Sequence, residues 1–468
     1  MFPENSSKYW SRDLETMNHV DRAELILKRL RHLLKYAYQN SLYYHKLFEE
    51  IKIDIDSIRN LEDFSTKVPV TTKAIIRREQ HEHPPFGRII CGSDIAFIMA
   101  SSGTTGKPTY IPFSKQELDR FAEHHARIMW SFGIRPRMGI LIAAMFTMYA
   151  GAWGVFLGSN RLDLKIHPVG AGSPGATANA VRTAQDLKPE VLYGTPSFIL
   201  HLIEQVQKIG LNPPKDLGFK IVFGSGEPGF SLQPIKKKIK SCLGEDVKVI
   251  DTGSMVEAMP WMTNAECEFE SGMHLWQDIV YTELVDTQDM SLVSFGEEGV
   301  LTYTSLDRIT YPLIRYYSGD VSYWVDDPCG CGRTYPRLPK GIYGRIDDMI
   351  VIKGVKTWPS VIQEILEKSP YYNGEFRIVL GEKESREYLK LVVEITEESM
   401  KMIQRDGSAS DKIVEDLRRA IKNGLGVSAE IELAKPFSLE RALHKSKRVI
   451  DERTISSELA KLRLHGDG

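Results

Sequence analysis

The sequence predicts an α/β protein with a large N-terminal domain of mixed, largely parallel sheets and helices, followed by a small α+β C-terminal domain. Three observations carry this. Short apolar runs (IAFIMA, GILIAAMF, EVLYG, KIVFG, VKVID) alternate with helical stretches such as PSFILHLIEQVQKI, the pattern of βαβ units. After Trp276 the pattern changes to short alternating strands, IVYTELVD and GVLTYTSL, which end near the charged, Gly-rich GIYGRIDDMIVIKG. Beyond that segment a helix (PSVIQEILEKS), two strands (FRIVLG, YLKLVVEIT), a second helix (DKIVEDLRRAIKNGLG) and a last strand (AEIELA) suffice for a small separate domain.

Taken in order, the region from Asp21 to Glu50 reads as one amphipathic helix, with Leu27, Leu30, Leu34 and Tyr38 at helical spacing. From Met138 to Asn160 there is no charged residue, and ~20 apolar residues can span a bilayer. Four glycines inside this stretch favour a buried strand, a Gly-rich turn and a buried helix instead. The 468 residues are 42% hydrophobic and 26% charged, a folded and soluble composition. A balance of 60 basic and 62 acidic residues gives no general basic surface, which argues against nucleic acid as a partner. Five widely spaced cysteines do not make a disulfide framework, and MFPENSSKYWSRD lacks an apolar export segment; both predict a cytoplasmic protein without a membrane anchor.

In an open α/β sheet ligands gather at the carboxyl ends of strands. There the chain carries Ser101-Ser102-Gly103-Thr104-Thr105-Gly106-Lys107-Pro108, directly after IAFIMA. Small and hydroxylated residues let backbone N–H groups turn inward and add hydroxyl donors, and Lys107 adds an ammonium, so the segment suits a polyphosphate. It is not a Walker A loop, which has four residues between its glycines and Ser or Thr after the lysine. A second Gly-rich segment, Gly170-Ala171-Gly172-Ser173-Pro174-Gly175, matches the dinucleotide pattern and raises an NAD-linked oxidoreductase as an alternative. That fingerprint needs an acidic residue at the end of the following strand, whereas Glu190 precedes its strand; an ordinary βα loop is the better reading.

Three further pieces follow predicted strands: Gly224-Ser225-Gly226-Glu227-Pro228, the stretch from Asp251 and Thr252 to Glu257, and Tyr317-Ser318-Gly319-Asp320. A carboxylate such as Asp320 can accept from both ribose hydroxyls, and one such as Glu257 can hold Mg2+ against phosphates.

Together these residues resemble the phenylacetate-coenzyme A ligase family of the adenylate-forming superfamily over nearly the whole chain. The resemblance runs through LLKYAYQNSLYYHKLF, VPVTTKAIIRRE, SSGTTGKP, YGTPSFIL, GSGEP, SGD, GRIDDMIVIKGVKTWPS and HKSKRVIDERT. It implies an ATP-dependent, Mg2+-requiring acid:CoA ligase that makes an acyl-AMP, releases pyrophosphate and then forms a thioester. It implies an adenylation domain at 1–344, a hinge at 345–348 with Asp347 at its centre, and a mobile lid at 349–468. ATP contacts fall on Ser101 to Lys107, Gly226, Glu227, Pro228, Asp251, Thr252, Asp320 and Arg345. Glu257 takes the metal role and Lys445 falls on the catalytic lysine. The turn Lys353-Gly354-Val355 replaces that lysine when CoA attacks. Two departures stand out: His444 replaces a glycine before the lysine, and DTGSMVE lacks the aromatic residue and compact spacing of the family's Tyr-Gly-x-Ser-Glu.

Phe146, Tyr149, Trp153 and Trp261 are candidates for an aromatic-lined pocket, which favours an aromatic, phenylacetate-like acid. Cys267 and His274, with Cys329 and Cys331 downstream, offer four soft ligands of the kind zinc prefers, and some relatives bear zinc at the corresponding place. Within the superfamily the acceptor is open between CoA, an amine, a carrier-protein thiol and a cofactor, as in coenzyme F390 synthetases. A non-catalytic acyl-nucleotide sensor is a further alternative. The oligomeric state is open too, a homodimer included.

Overall fold

The computed structural model describes residues 3–101, 108–148, 150–171, 175–227, 229–352, 354–383, 386–439 and 448–453. The chain divides into two compact units, Met1–Ile342 and Tyr343–Gly468.

The first unit is organised around an eight-stranded sheet. Strands Lys165–Pro168, Gly139–Ala143, Val191–Gly194, Ile221–Gly224 and Lys248–Ser254 run parallel. Met262–Ala265, Met273–Leu275 and Arg337–Leu338 extend it antiparallel, so the sheet is mixed and largely parallel. Strands covered on both faces need side chains that are apolar throughout, and Ile140, Leu141, Ile142, Val191, Leu192, Val222 and Val249 are all buried. The helices Pro196–Lys208 and Gln233–Leu243 cover one face through Ile199, Leu202, Ile235 and Ile239. Trp130, Phe132 and Val155, from the region of Lys115–Trp130 and Ala150–Arg161, pack in the core on the other. The uncharged stretch from Met138 is thus a buried strand and a buried helix, and among the described residues no helix is long and apolar enough to cross a membrane.

Two local expectations change. The region from Asp21 to Glu50 is two helices, His19–Asn40 and Leu42–Glu50, because Ser41 takes an extended backbone and its hydroxyl caps the second helix at Tyr44 N, 3.3 Å away. IAFIMA does not join the parallel sheet: Phe97–Ser101 pairs antiparallel with Thr109–Phe113 in a separate ladder. Seven residues lie between these strands, too few for a crossover helix, so only an antiparallel return is available. Gly170 and Gly175 follow the edge strand Lys165–Pro168 with positive φ, and Glu190 Oε2 accepts from Gly139 N at 2.7 Å, which gives this acidic residue a structural post.

In the second unit Tyr372–Lys383 and Arg386–Ile395 form an antiparallel pair, with Glu430–Ala434 and Val449–Asp451 added parallel on either side. Ile362 and Leu366 of Pro359–Glu367 and Leu417 and Ile421 of Ser408–Leu425 close its core over Phe376, Ile378, Leu391 and Val393. Ile350–Ile352 and Val355–Thr357 form a small hairpin at its start.

Candidate active site and metal centre

The parallel strands deliver their carboxyl ends side by side. Gly194 and Gly224 approach so closely that a Cβ on Gly224 would lie 1.9 Å from the Gly194 carbonyl oxygen, so no other residue fits there. Around this contact Tyr193 and Ser225 share a hydroxyl hydrogen bond of 3.1 Å, and Thr252 Oγ1 donates to Gly224 O at 2.8 Å. Gly226 turns with φ +98°, and Glu227 Oε1 accepts from Ser197 N, 2.8 Å away at the start of Pro196–Lys208.

Asp251 is buried beside a second charged cluster. Its N–H donates to Glu266 Oε2 at 2.8 Å, and Glu266 is paired with Lys236 at 2.5 Å. Burial and the nearby Glu266 charge push the Asp251 carboxyl up to about 7, against the pull of Ser231 and Lys236. Asp320 follows Gly319 (φ +80°) in Tyr316–Tyr323, with its N–H on Ser318 Oγ at 2.9 Å.

Glu257 is buried, with Lys73 Nζ 3.3 Å from its Oε1. Burial raises its carboxyl, but the Lys73 ammonium, the Ser101 hydroxyl and a backbone N–H together outweigh that and hold it below the ordinary range. The Glu257 carbonyl accepts from Arg308, which is itself buried and stacked 4.6 Å from the Phe113 ring centroid. Burial pushes the Arg308 guanidinium down to about 10. Glu257 Oε1 lies against the Lys73 ammonium and beside the Ser101 hydroxyl, where the Ser/Thr/Gly-rich segment begins. A buried carboxylate kept anionic in this way is the oxygen donor that a hard divalent cation such as Mg2+ takes.

Phe146 and Trp153 meet edge to face at 5.1 Å, and Trp153 Nε1 donates to Thr147 O at 2.8 Å. Phe97 links them to Trp261, with ring centroids 5.6 Å from Trp153 and 6.4 Å from Trp261. Trp261 is buried against Phe121 at 4.4 Å. These three candidates therefore belong to one aromatic wall.

In the second unit Arg345 and Asp347 form an ion pair of 2.9 Å, and Trp358 Nε1 donates to Arg345 O at 2.9 Å. Gly354 turns the hairpin with φ +78°, with open space where a Cβ would stand, and Val355 begins its second strand. Ser102, Gly103, Thr104, Thr105, Gly106, Lys107, Tyr149, Pro228, Lys353 and Lys445 lie outside the described residues.

Cys267, His274, Cys329 and Cys331 bring their ligand atoms within 4.8 Å of one another, all four buried. Cys267 and Cys329 sulfurs are 3.8 Å apart, and Cys331 Sγ is 3.4 Å from His274 Nε2. Two thiolates on a tetrahedral Zn2+, each at about 2.3 Å, stand about 3.8 Å apart, so the donor set fits zinc. With four protein ligands a bound zinc would have no open position, the arrangement of a structural site. Tyr9 OH donates to Cys331 O at 3.1 Å and Arg333 pairs with Glu15 at 2.8 Å, so the N-terminal segment leans on this centre.

Lys73, His125, Tyr193 and Arg308 enter the site without having been singled out in the sequence. Lys73 and Tyr193 lie inside VPVTTKAIIRRE and YGTPSFIL, where only the family resemblance gave a signal; His125 and Arg308 lie in no such segment.

The model of the AMP-binding enzyme family matches residues 29–305, and that of the AMP-binding enzyme C-terminal domain matches residues 354–453. A phenylacetate-coenzyme A ligase of Thermus thermophilus is 32% identical over 454 residues, covering 94% of this chain and 99% of the relative. The crystal structure of 2-hydroxyisobutyryl-CoA ligase in the postadenylation state, in complex with 2-HIB-AMP, is 39% identical with a TM-score of 0.92, covering 99% of this chain and 96% of that one. The same ligase with 2-HIB-AMP and CoA in the thioesterification state superposes with a TM-score of 0.73 at 39% identity, again covering 99% and 96%.

Proposed function

The chain belongs to the phenylacetate-coenzyme A ligase family of AMP-binding enzymes, and from that premise we propose that it joins a carboxylic acid to coenzyme A at the expense of ATP. The observation that carries the reading is the match at both ends of the chain to ligases of this type, the catalytic unit and the C-terminal unit alike.

A carboxylate is a poor electrophile and its oxygen a poor leaving group at neutral pH. In the first step the carboxylate oxygen bonds to the α-phosphorus of ATP, the bond from that phosphorus to the β-phosphate oxygen breaks, and pyrophosphate leaves. Ser101 to Lys107 and the strand-end residues Gly226, Glu227, Pro228 and Thr252 hold the nucleotide, with Asp320 on the ribose. Lys445 neutralises charge on the carboxylate and the α-phosphate as the bond forms. Glu257 would hold Mg2+, which would supply charge neutralisation on the phosphates. In the second step the CoA thiol loses its proton to solvent, its sulfur bonds to the acyl carbon, and AMP departs. Asp347 is the pivot between the two steps, and Lys353-Gly354-Val355 then lies beside the pantetheine arm.

For the acid there are two readings. An aromatic acid is supported by the Phe146, Trp153 and Trp261 wall and by relatives named for phenylacetate. A small branched hydroxy acid is supported by the 39% identity to 2-hydroxyisobutyryl-CoA ligase. Acid-dependent exchange of labelled pyrophosphate into ATP, with and without CoA, tests the function; Lys445→Ala is expected to abolish exchange. Exchange equal to wild type in that variant would remove Lys445 from the mechanism.

A further inference from the structure

A cavity lies at the strand ends, bounded by His125 on one helix, Gly151 and Val155 on the next, and Tyr193, Ser225 and Trp261 from the sheet side. The space open to the centre of a water-sized group is ≈ 10 Å³, enough for about one water. A hydroxyl or methyl group fits there.

The walls are polar in a directed way. His125 Nδ1 is 3.1 Å from Phe121 O. A carbonyl only accepts, so Nδ1 carries the proton and Nε2 presents a lone pair. Burial, with His124 adding to it, pushes this imidazole down to about 3, so the lone pair is present at neutral pH. Among the described residues no hydrogen bond reaches Nε2. A Cβ on residue 154 would come within 2.5 Å of it, so Gly154 is what lets the neighbouring helix pass beside that nitrogen. The Trp261 indole N–H is buried without a partner. Opposite, the Tyr193 and Ser225 hydroxyls supply a donor.

Resting on the ligase reading above, we propose that this cavity is the far end of the acid pocket and that His125 Nε2 accepts a hydrogen bond from a hydroxyl on a small, branched aliphatic acid. A methyl group of similar size leaves the His125 acceptor and the Trp261 donor unpaired, and a site built to hydrogen-bond a hydroxyl discriminates strongly against an analogue that lacks it. The aromatic rings of the wall then act as the apolar flank of the pocket, against which the branch methyls pack.

The test is acid-dependent pyrophosphate exchange with 2-hydroxyisobutyrate, pivalate (methyl in place of hydroxyl), isobutyrate and phenylacetate. Wild type is expected to favour the hydroxy acid over pivalate in kcat/KM by about a hundredfold or more. His125→Leu is expected to bring that ratio below about tenfold by loss on the hydroxy acid alone, while His125→Gln, which keeps an acceptor, retains more of it. Should His125→Leu not fold, Trp261→Phe keeps the ring, removes the indole N–H and reads the same ratio. Equal loss on both acids in these variants overturns the subsite. Exchange with phenylacetate but no preference for the hydroxy acid overturns it too and leaves the ligase standing. No exchange with any acid, together with no thermal shift on adding MgATP, overturns the ligase reading and the subsite with it.

Discussion

Lys73 Nζ stands 3.3 Å from Glu257 Oε1, and its ammonium is the leading opponent of the burial that pushes this carboxyl up. Two residues far apart in the chain thereby keep an anion ready beside Ser101, where the phosphate-loop segment begins.

Lys73→Met removes the opposing charge and leaves burial in command. The Glu257 carboxyl then rises above its unfolded value, so the variant loses stability as pH climbs through that raised value. Urea unfolding at pH 5 and pH 7.5 is expected to show a deficit that widens at the higher pH. It should reach roughly 1–2 kcal/mol, a discount on the full cost of breaking a buried pair because Lys73 is one-third exposed. Adding Glu257→Gln should restore most of it; a pH-independent deficit would argue against the ion pair.

Asp251 presents the opposite sign. Its folded value of about 7 lies above the ordinary carboxylate range, so its contribution is fully present below pH 4 and is lost as pH rises through 7. Asp251→Asn should leave stability near wild type at pH 4 and raise it by on the order of 1–3 kcal/mol at pH 8. Denaturant titrations at the two pH values check this.

For the Cys267, His274, Cys329 and Cys331 centre, purified protein is expected to carry one zinc per chain by elemental analysis. Cys331→Ser should lower the melting temperature by roughly 10 °C, because Tyr9 and the Glu15 ion pair lose their anchor with it. Since the centre has no open ligand position, kcat at 25 °C should change less than twofold. Metal-free protein melting like wild type would end the structural assignment.

At Gly354, a bulky substituent meets open space but a backbone with φ +78°. Gly354→Trp should therefore cost about 1 kcal/mol in stability. It should leave pyrophosphate exchange within threefold and cut thioester formation by tenfold or more; equal loss of both would separate this turn from the CoA step.

Much of this was readable in the residues. The parallel strands declared themselves as unbroken apolar runs because both faces are covered, and the Cys267, His274, Cys329 and Cys331 set did so because two segments each supply soft donors at places where relatives bear zinc. His125 did not: it occupies an apolar position on an amphipathic helix, and only the absence of a side chain at Gly154 reveals what its second nitrogen faces. The Lys73 and Glu257 pair was equally hidden, since ion pairs across 184 positions of chain leave no periodic trace. The break at Ser41 was hidden as well, since the apolar spacing runs through it and only its extended backbone separates the two helices.

The near contact of Gly224 with the Gly194 carbonyl has a consequence for how such an enzyme diversifies. Where two main chains touch, mutation has nothing to trim or enlarge, so that boundary of the chamber is inherited unchanged. New preferences must be written in the side chains around it, at positions such as His125, Val155 and Trp261, and a library aimed at altered acid choice is best directed at those walls.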